Sequence, residues 1–320
     1  MLYLATNDGV ALCQRTDEGW QVAGRSLDDH HVRSIIAREG VVLAGTKDGV
    51  FRSEDGGETW HEASRGLHLR HVRWLAYRPD VSDFEVAGTE PAAIFISRGG
   101  AGTWQERPEV GALRDEYGWY LPYSPRAGCI RGFAFHGERG YAAAEDGALL
   151  RSDDGGVSWR LAPGSAGPPQ HNPGPGQIHS DVHSVAVHST AADLVVAPTG
   201  GGLFRSQDGG QTWENLYRCY CRAVWLDPED PQHLIFGPAD GVDRRGRIEE
   251  TRDGGEMWQP RYEGAGAPWP RHMVERFVAA GDELLAVLSN GQLLAAPLAA
   301  LAWQAVAADA GWVNDVATMA

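Results

Sequence analysis

Short apolar stretches alternate with glycine-rich and acidic turns from one end of the chain to the other. The stretches have the length of single β-strands and are too short for helices that would bury a face of their own. Six of them stand out: Val41–Gly45, Phe84–Gly88, Gly140–Ala144, Leu194–Pro198, His233–Gly237 and Leu284–Leu288. No apolar run approaches the roughly 20 residues of a membrane-spanning helix. The pattern predicts an all-β chain built from many short strands, with no membrane partner.

An eight-residue motif recurs between these strands and ends in tryptophan each time. Four copies read Ser/Thr-x-Asp-Gly-Gly-x-x-Trp and a fifth has lost its Asp: residues 53–60, 152–159, 206–213, 251–258 and, without Asp, 97–104. An aspartate can accept backbone N–H bonds inside a tight turn, and glycines supply positive φ angles there. Trp20 and Trp303 mark two weaker equivalents, so the tryptophans lie 40 to 55 residues apart. This spacing indicates seven units of propeller-blade length.

The motif resembles the Asp-box of the BNR-repeat propellers, which include sialidases, sortilin-like receptors and photosystem assembly factors. A closer likeness is to prokaryotic BNR-repeat proteins called glycosyl hydrolase-like by analogy, which share the sequence of residues 88–93, Gly-Thr-Glu-Pro-Ala-Ala. The resemblance covers nearly the whole chain and implies an all-β, seven-bladed β-propeller. It does not define an activity, because unrelated functions share this folding element.

The two chain ends are predicted to build one blade together. Trp312–Thr318 has no strands after it, whereas Met1–Thr6, Val10–Gln14 and Trp20–Ala23 have no innermost strand before them. Pairing residues 312–318 with residues 1–24 closes the ring and removes two exposed sheet edges. We therefore expect residues 1–320 to form a single domain.

Charge and cysteine content narrow the functional classes. The net charge is −15, which argues against a nucleic-acid binder, because such a protein needs a basic surface. Residues 1–8 read as a strand and not as a signal peptide. The four cysteines suggest no disulfide framework. We expect a cytoplasmic protein.

Seven strands carry an apolar residue between two distinctive neighbours, and we interpret them as the innermost strands of the blades. The residues after the apolar position are Arg33, Arg73, Arg131, His183, Arg222, Glu275 and Asn314. The residues before it are His31, His71, Cys129, Asp181, Tyr220, Met273 and Trp312. Such positions converge on or near the axial channel of a propeller. Four arginines there predict either a site for a carboxylate, sulfate or phosphate, or a structural ladder with neighbouring carboxylates.

The same rim holds the candidate site residues. For an anionic ligand, which includes a sugar acid, the predicted binding residues are Arg33, Arg73, Arg131, Arg222, His31, His71, Asn314 and Glu90. If the protein is a hydrolase or lyase, the candidate catalytic residues are Asp181, His183, Glu275 and Tyr220. Glu90 and Glu145 end second strands and can reach this rim. The sequence shows no sialidase motif around these residues, so sialidase roles are not transferred to them.

No cofactor is predicted outright, but a divalent metal is considered. His179, Asp181 and His183 alternate along the chain, so we expect them on one face of one strand. Same-face neighbours lie about 7 Å apart, so a metal would need ligands from other blades. The alternative is a set of rim histidines with ordinary hydrogen-bond partners.

Two long insertions precede innermost strands on the face opposite the repeated motifs. Residues 161–180 are rich in proline and glycine, and residues 105–128 contain Tyr117, Trp119, Tyr120 and Tyr123. Long loops on one rim of a rigid scaffold often carry function. The second functional hypothesis is therefore a non-catalytic scaffold that binds a protein partner through the aromatic 105–128 loop.

Overall fold

The computed structural model describes residues 1–17, 19–124 and 127–319. The strands of these residues form seven antiparallel sheets of four strands each. The sheets are the blades of a ring, so the predicted seven-bladed β-propeller is confirmed. Residues 125 and 126, inside the aromatic insertion, lie outside the described residues.

The blades follow one another along the chain. Blade one begins with β1 (Leu2–Thr6), β2 (Gly9–Thr16) and β3 (Gly19–Ser26). Blade two holds β4 (Val32–Arg38), β5 (Val41–Thr46), β6 (Gly49–Ser53) and β7 (His61–Glu62). Blade three holds β8 (Val72–Tyr77), β9 (Phe84–Thr89), β10 (Ile94–Arg98) and β11 (Trp104–Glu106). Helix α1 (Pro108–Tyr117) precedes blade four, which holds β12 (Cys129–His136), β13 (Arg139–Glu145), β14 (Leu149–Ser152) and β15 (Arg160–Leu161).

The second half of the ring repeats this order. Blade five holds β16 (Ala186–Val187), β17 (Val195–Thr199), β18 (Gly202–Ser206) and β19 (Glu214–Tyr217). Blade six holds β20 (Tyr220–Leu226), β21 (Leu234–Ala239), β22 (Glu249–Thr251) and β23 (Gln259–Pro260). Blade seven holds β24 (Val274–Ala280), β25 (Glu283–Leu288), β26 (Leu293–Pro297) and β27 (Gln304–Val306). A 3-10 turn (Ala308–Ala310) leads to β28 (Val313–Thr318), which returns to blade one.

The ring closes as the sequence predicts. Strand β28 is the innermost strand of blade one and pairs antiparallel with β1, with Leu2 opposite Thr318 and Tyr3 opposite Ala317. One blade is thus held together by backbone hydrogen bonds between the two ends of the chain. Of the helices that the structure describes, none has the length and apolar composition needed to cross a membrane.

The apolar core consists of layers between neighbouring blades. Between blades two and three, Leu43 and Val50 pack with Leu75, Phe95 and Trp104, all of them buried. Equivalent clusters lie at other blade contacts, and the box tryptophans Trp159 and Trp213 belong to two of them. Each tryptophan removes a large apolar area from water. The repeated boxes therefore place an aromatic side chain at the contact between blades.

The aspartate of each complete box organises the turn that follows the third strand. In the third complete copy, Asp208 accepts hydrogen bonds from the amides of Gln211 and Thr212, both at 2.9 Å. Its carboxylate also accepts the hydroxyls of Thr212 at 2.6 Å and Ser206 at 2.7 Å. Gly209 and Gly210 have φ values of 71° and 85°, which L-residues rarely adopt. These bonds are local, which is why the motif is visible in the sequence.

In the copy that lacks aspartate, a carboxylate from elsewhere in the blade bonds the turn at a different amide. Glu85, on β9, is buried and accepts a 3.2 Å hydrogen bond from the amide of Ala101. Ala101 occupies the second glycine position of the motif and adopts a φ of 65°. The turn shape is therefore retained although the aspartate is lost.

The two long insertions pack against each other. Trp119 is buried, and its indole N–H donates to the carbonyl of Gly167 at 2.9 Å, across the two insertions. Tyr120 and Tyr123 remain 49% and 61% exposed. The aromatic insertion is therefore divided into a buried anchor and an exposed part.

Candidate functional site

A repeated β-bulge brings the predicted ring of residues together at the channel. In five innermost strands one residue has no partner in the register of the next strand, namely Arg33, Arg73, Arg131, Glu275 and Asn314. In β20 the irregularity spans Arg222 and Ala223. A bulge breaks the alternation of side chains and re-aims the extra residue. All six polar residues line a cavity of about 330 Å³ at the starts of the innermost strands.

A second cavity of about 340 Å³ continues along the innermost strands. Five residues line both cavities and therefore lie between them: Trp74, Arg131, Arg222, Glu275 and Arg276. Arg276 was not among the predicted site residues. Its guanidinium lies 4.3 Å from the ring centre of Trp74. It directly follows the bulged Glu275, and that position in the repeat is the signal that could have revealed it.

Three of the four arginines pair with carboxylates. Arg73 donates to Glu90 at 2.5 Å, and Arg131 lies 3.2 Å from Glu145 and 3.0 Å from Glu275. Arg222 also donates to Glu275. Burial by itself would raise the pKa of Glu275, but Arg222 and Arg131 hold it below its usual range. Burial opposes ionisation of Glu145 in the same way, and Arg131 lowers the pKa of that carboxyl to about 2. These contacts correspond to the ladder alternative.

Arg33 differs from the other three arginines. Among the residues that the structure describes, no carboxylate oxygen lies within 4.0 Å of its guanidinium nitrogens. Its Nε is buried without a hydrogen-bond partner, and so is the Nε2 of both His31 and His71. Burial and the neighbouring Arg73 lower the pKa of Arg33. Three unpaired nitrogens therefore lie at the starts of two adjacent innermost strands.

The two histidines of this sector are neutral in the folded protein. Burial, followed by the charges of Arg33 and Lys47, lowers the pKa of His31 to about 4. Burial and Arg73 also lower the pKa of His71 to about 4, although Glu90 lies 3.6 Å from its Nδ1 and favours protonation. Positive charge is thus in excess here.

The remaining predicted ligand-binding residues already have protein partners. Asn314 donates to the carbonyl of Val32 at 2.8 Å and to the side chain of Asn7 at 3.0 Å. Glu90 accepts the hydroxyl of Ser124 at 2.5 Å as well as Arg73. Asn314 links blades one and two, and Glu90 links the arginine ring to the aromatic insertion.

Asp181, His183 and Tyr220 lie in contact. His183 Nε2 is 3.1 Å from Asp181 Oδ1 and 3.2 Å from the hydroxyl of Tyr220. His183 Nδ1 lies 2.7 Å from the carbonyl of Cys221, which fixes the proton on Nδ1 because a carbonyl can only accept. Burial alone would raise the pKa of Asp181, but His183 holds it well below its usual range.

The neighbouring Asp146 responds in the opposite direction. Burial and the charges of Asp181 and Glu145 raise the pKa of Asp146 to about 6. Its amide donates to Asp181 at 3.3 Å. Negative charge is therefore in excess on this side of the channel, opposite in sign to the sector around Arg33.

The expectation that residues 179, 181 and 183 share one face of a strand is wrong. Val182 makes only a single bridge to Thr199, and β16 begins at Ala186. His179 instead accepts the amide of Asp181 on its Nδ1 at 3.1 Å. The candidate metal-binding group that the fold assembles is Glu145, Asp181 and His183, with ligand atoms within 4.8 Å of one another.

Comparison with known proteins agrees with the fold. The model of the BNR/Asp-box repeat family matches residues 204–215, which include the third complete motif. No curated protein matches the sequence. The chain is therefore a seven-bladed β-propeller in which one repeat matches the BNR/Asp-box model.

Solved structures with low sequence identity share this fold. An ancestral GH74 enzyme superimposes with a TM-score of 0.64 at 18% identity, over 92% of this chain and 37% of that one. The chain therefore spans little more than a third of that enzyme. YCF48 from Cyanidioschyzon merolae has a TM-score of 0.59 at 13% identity, over 89% of this chain and 87% of that one. A chain of the mitotic checkpoint complex has a TM-score of 0.61 at 12% identity, over 92% and 82%.

Proposed function

We propose that this propeller binds a small anionic ligand, of the carboxylate or phosphate class, in the cavity at the starts of its innermost strands. The observation that carries the proposal is the unpaired state of Arg33. Its three ring neighbours all have carboxylate partners, whereas its Nε and the Nε2 atoms of His31 and His71 have none. The site thus leaves the Nε–H donor of Arg33 unused, beside two imidazole nitrogens that have no partner.

Electrostatics favours a ligand at this position. A buried cation without a counter-charge is destabilising, and a bound anion would remove that cost. Hydrogen bonds from guanidinium to carboxylate or phosphate are charge-assisted and can be bidentate. The acidic exterior, with a net charge of −15, repels anions at long range, but salt screens this repulsion beyond about 10 Å.

The shape of the cavity supports an organic anion. Its volume of about 330 Å³ lies at the lower end of the range of about 300–1,000 Å³ that ligand pockets cover. Trp312 and Tyr123 line it and are 49% and 61% exposed, so each offers an aromatic face. A sugar acid combines a carboxylate with a ring that can lie against such a face.

The test is calorimetric titration of the full chain with sugar acids, dicarboxylates and phosphate, after a thermal-shift screen of the same compounds. We expect a binding anion to lose at least tenfold in affinity in Arg33→Gln. The exposed Arg65 provides a matched control, because Arg65→Gln removes the same charge outside the cavity. If no anion stabilises the parent more than an Arg33→Ala/Arg73→Ala double variant, the arginines serve only blade packing.

Binding, and not catalysis, is the activity we propose for the site. General acid catalysis needs a carboxyl that is protonated near neutral pH, and the pKa values of Glu275 and Asp181 are both lowered. His183 has one nitrogen engaged by a carbonyl and is buried. The catalytic roles of Asp181, His183, Glu275 and Tyr220 therefore stay a prediction, testable by turnover of whichever ligand binds.

A second candidate function is that of a protein-binding scaffold. It is favoured by the exposure of Tyr120 beside the buried anchor Trp119, because exposed aromatic side chains on a fixed loop are typical of interfaces. A similar fold also occurs in a chain of the mitotic checkpoint complex. Tyr120→Ser should abolish partner binding under this hypothesis, whereas Arg33→Gln should leave it intact. If Arg33→Gln abolishes partner binding and Tyr120→Ser leaves it intact, the anion site is favoured instead.

A further inference from the structure

We propose that Glu145, Asp181 and His183 form a divalent metal site at the channel wall, with the hydroxyl of Tyr220 as a neighbouring fourth ligand. One ligand atom from each of the first three residues lies within 4.8 Å of the other two. The site differs from the anion site, because it uses the end of the second strand of blade four and the innermost segments of blades five and six, whereas Arg33 and His71 belong to blades two and three.

The orientation of His183 is the first argument. Its Nδ1–H donates to the carbonyl of Cys221 at 2.7 Å, so Nε2 is the ring nitrogen that faces Asp181 and Tyr220. Metal-binding histidines commonly donate their other ring N–H to a carbonyl or carboxylate, which fixes both tautomer and ring position. Cys221, whose carbonyl holds His183, is not one of the proposed ligands, so Nε2 remains available to a metal ion.

The charge pattern is the second argument. Arg131 and Arg222 are matched by Glu145 and Glu275. Asp181, by contrast, has no arginine or lysine nitrogen within 4.0 Å among the described residues, and His183 is its ion-pair partner there. A divalent cation would place a full positive charge beside this carboxylate, and the direct contact with His183 alone is the competing arrangement.

The distances are compatible with a first coordination shell. Two ligands that are each about 2.0–2.2 Å from a zinc ion in tetrahedral geometry lie roughly 3.3–3.6 Å apart. His183 Nε2 is already 3.1 Å from Asp181 and 3.2 Å from Tyr220. Glu145 has to move closer, and it would keep its contact with Arg131, which is 3.2 Å away. One imidazole nitrogen with carboxylate oxygens suits Zn²⁺ or Mn²⁺ better than soft metals that prefer thiolates.

Access to the site runs through the channel. His183 lines the second cavity, and Glu145 lines the first. The side chain of Asp181 is 13% exposed, whereas that of His183 is fully buried. A hydrated cation can therefore reach Asp181 first, and it would lose water as it meets His183.

The experiment is isothermal titration of the full chain, stripped with EDTA and desalted, with ZnCl₂ and separately with MnCl₂. We expect one equivalent to bind to the parent with a Kd below 100 µM and to raise the Tm. Asp181→Asn and Glu145→Gln should each weaken binding by at least tenfold. Co²⁺ in place of Zn²⁺ should give a visible absorption band that is absent in Asp181→Asn.

Controls separate this site from other histidines and from the anion site. His171→Gln, in the proline-rich insertion, removes an exposed histidine near the cluster and should leave the affinity unchanged. Arg33→Gln should also keep full metal affinity, because it belongs to the other site. If Asp181→Asn does not fold, judged by its melting curve, Glu145→Gln decides. Absence of a one-to-one complex, or equal affinity in Glu145→Gln and the parent, overturns the proposal in favour of a metal-free contact between Asp181 and His183.

Discussion

The carboxylate of Asp315, close to the end of the chain, accepts a 3.1 Å hydrogen bond from the hydroxyl of Ser34 on blade two. The same carboxylate accepts the amide of Ile35 at 3.0 Å and pairs with Arg276 of blade seven. Ser34 in turn accepts the amide of Leu75 from blade three at 3.0 Å. One buried polar chain therefore connects four consecutive blades across the closure of the ring.

Ring closure depends on this connection and on β28. Asp315→Ala leaves Arg276 without its partner and removes the acceptor of three further donors, so we expect the free energy of unfolding to fall by about 3–5 kcal/mol. Urea unfolding followed by tryptophan fluorescence measures this change. Asp282→Ala removes an exposed aspartate of the same blade pair and should have little effect.

Deleting residue 311 onward should be more damaging still, and a truncated protein that melts within a degree of the parent would contradict the closure.

The complete Asp-boxes are expected to stabilise the fold without touching the ligand. Asp208→Ala removes the acceptor for two backbone amides and should cost about 1–3 kcal/mol of unfolding free energy. Its turn joins the third and fourth strands, at the opposite end of the blade from the starts of the innermost strands. Gln207→Ala, one residue away, is the control. Loss of anion affinity in Asp208→Ala without loss of stability would assign the box to function.

The ladder of ion pairs makes a prediction about Arg73 that differs from that about Arg33. Arg73→Gln leaves the buried Glu90 carboxylate without its main counter-charge, and we expect a loss of about 3 kcal/mol in unfolding free energy. Adding Glu90→Gln should recover part of the loss, because both charges are then removed. A double-mutant cycle measures this coupling. Strictly additive losses would show that the pair does not interact as the geometry implies.

The pH dependence of stability should reflect His31 and His71. Their pKa values are lowered to about 4 in the folded protein, whereas an unfolded histidine has a pKa of about 6.5. Between these values the unfolded chain binds protons that the folded chain does not, so the stability contribution present above pH 6.5 is lost as the pH falls toward 4. The slope is at most about 1.4 kcal/mol per pH unit for each histidine.

Urea unfolding at a series of pH values tests this dependence. His31→Gln/His71→Gln should flatten the curve between pH 4 and 6.5, while His61→Gln, at an exposed position, should not. An anion bound at Arg33 would favour protonation of the two histidines, so anion affinity should rise as the pH falls over the same range. An affinity independent of pH would separate the histidines from the ligand.

Local sequence was sufficient to determine the architecture. The Asp-box turns form within eight residues, as the hydrogen bonds of Asp208 with Gln211 and Thr212 show. All residues needed to recognise such a turn are therefore close together in the sequence. The repeat spacing then sets the number of blades, and the unmatched strands at the two ends require a shared blade. The recurrence of Arg33, Arg73 and Arg131 at one repeat position predicted their convergence, because their three blades carry the bulge at the same place.

Only the tertiary structure decided which of these side chains are matched. Glu90 and Glu275 lie 17 and 53 residues from Arg73 and Arg222 along the chain, and Arg131 contacts Glu275 across 144 residues. Pairings of this kind depend on the radius of the ring and on how each bulge aims its side chain. The unpaired state of Arg33, and the approach of Glu145 to Asp181 and His183, are set by the same geometry. For that reason the repeat pattern could not decide between a ladder and a ligand site. In the closed ring Arg73, Arg131 and Arg222 have carboxylate partners. Arg33 has none among the described residues.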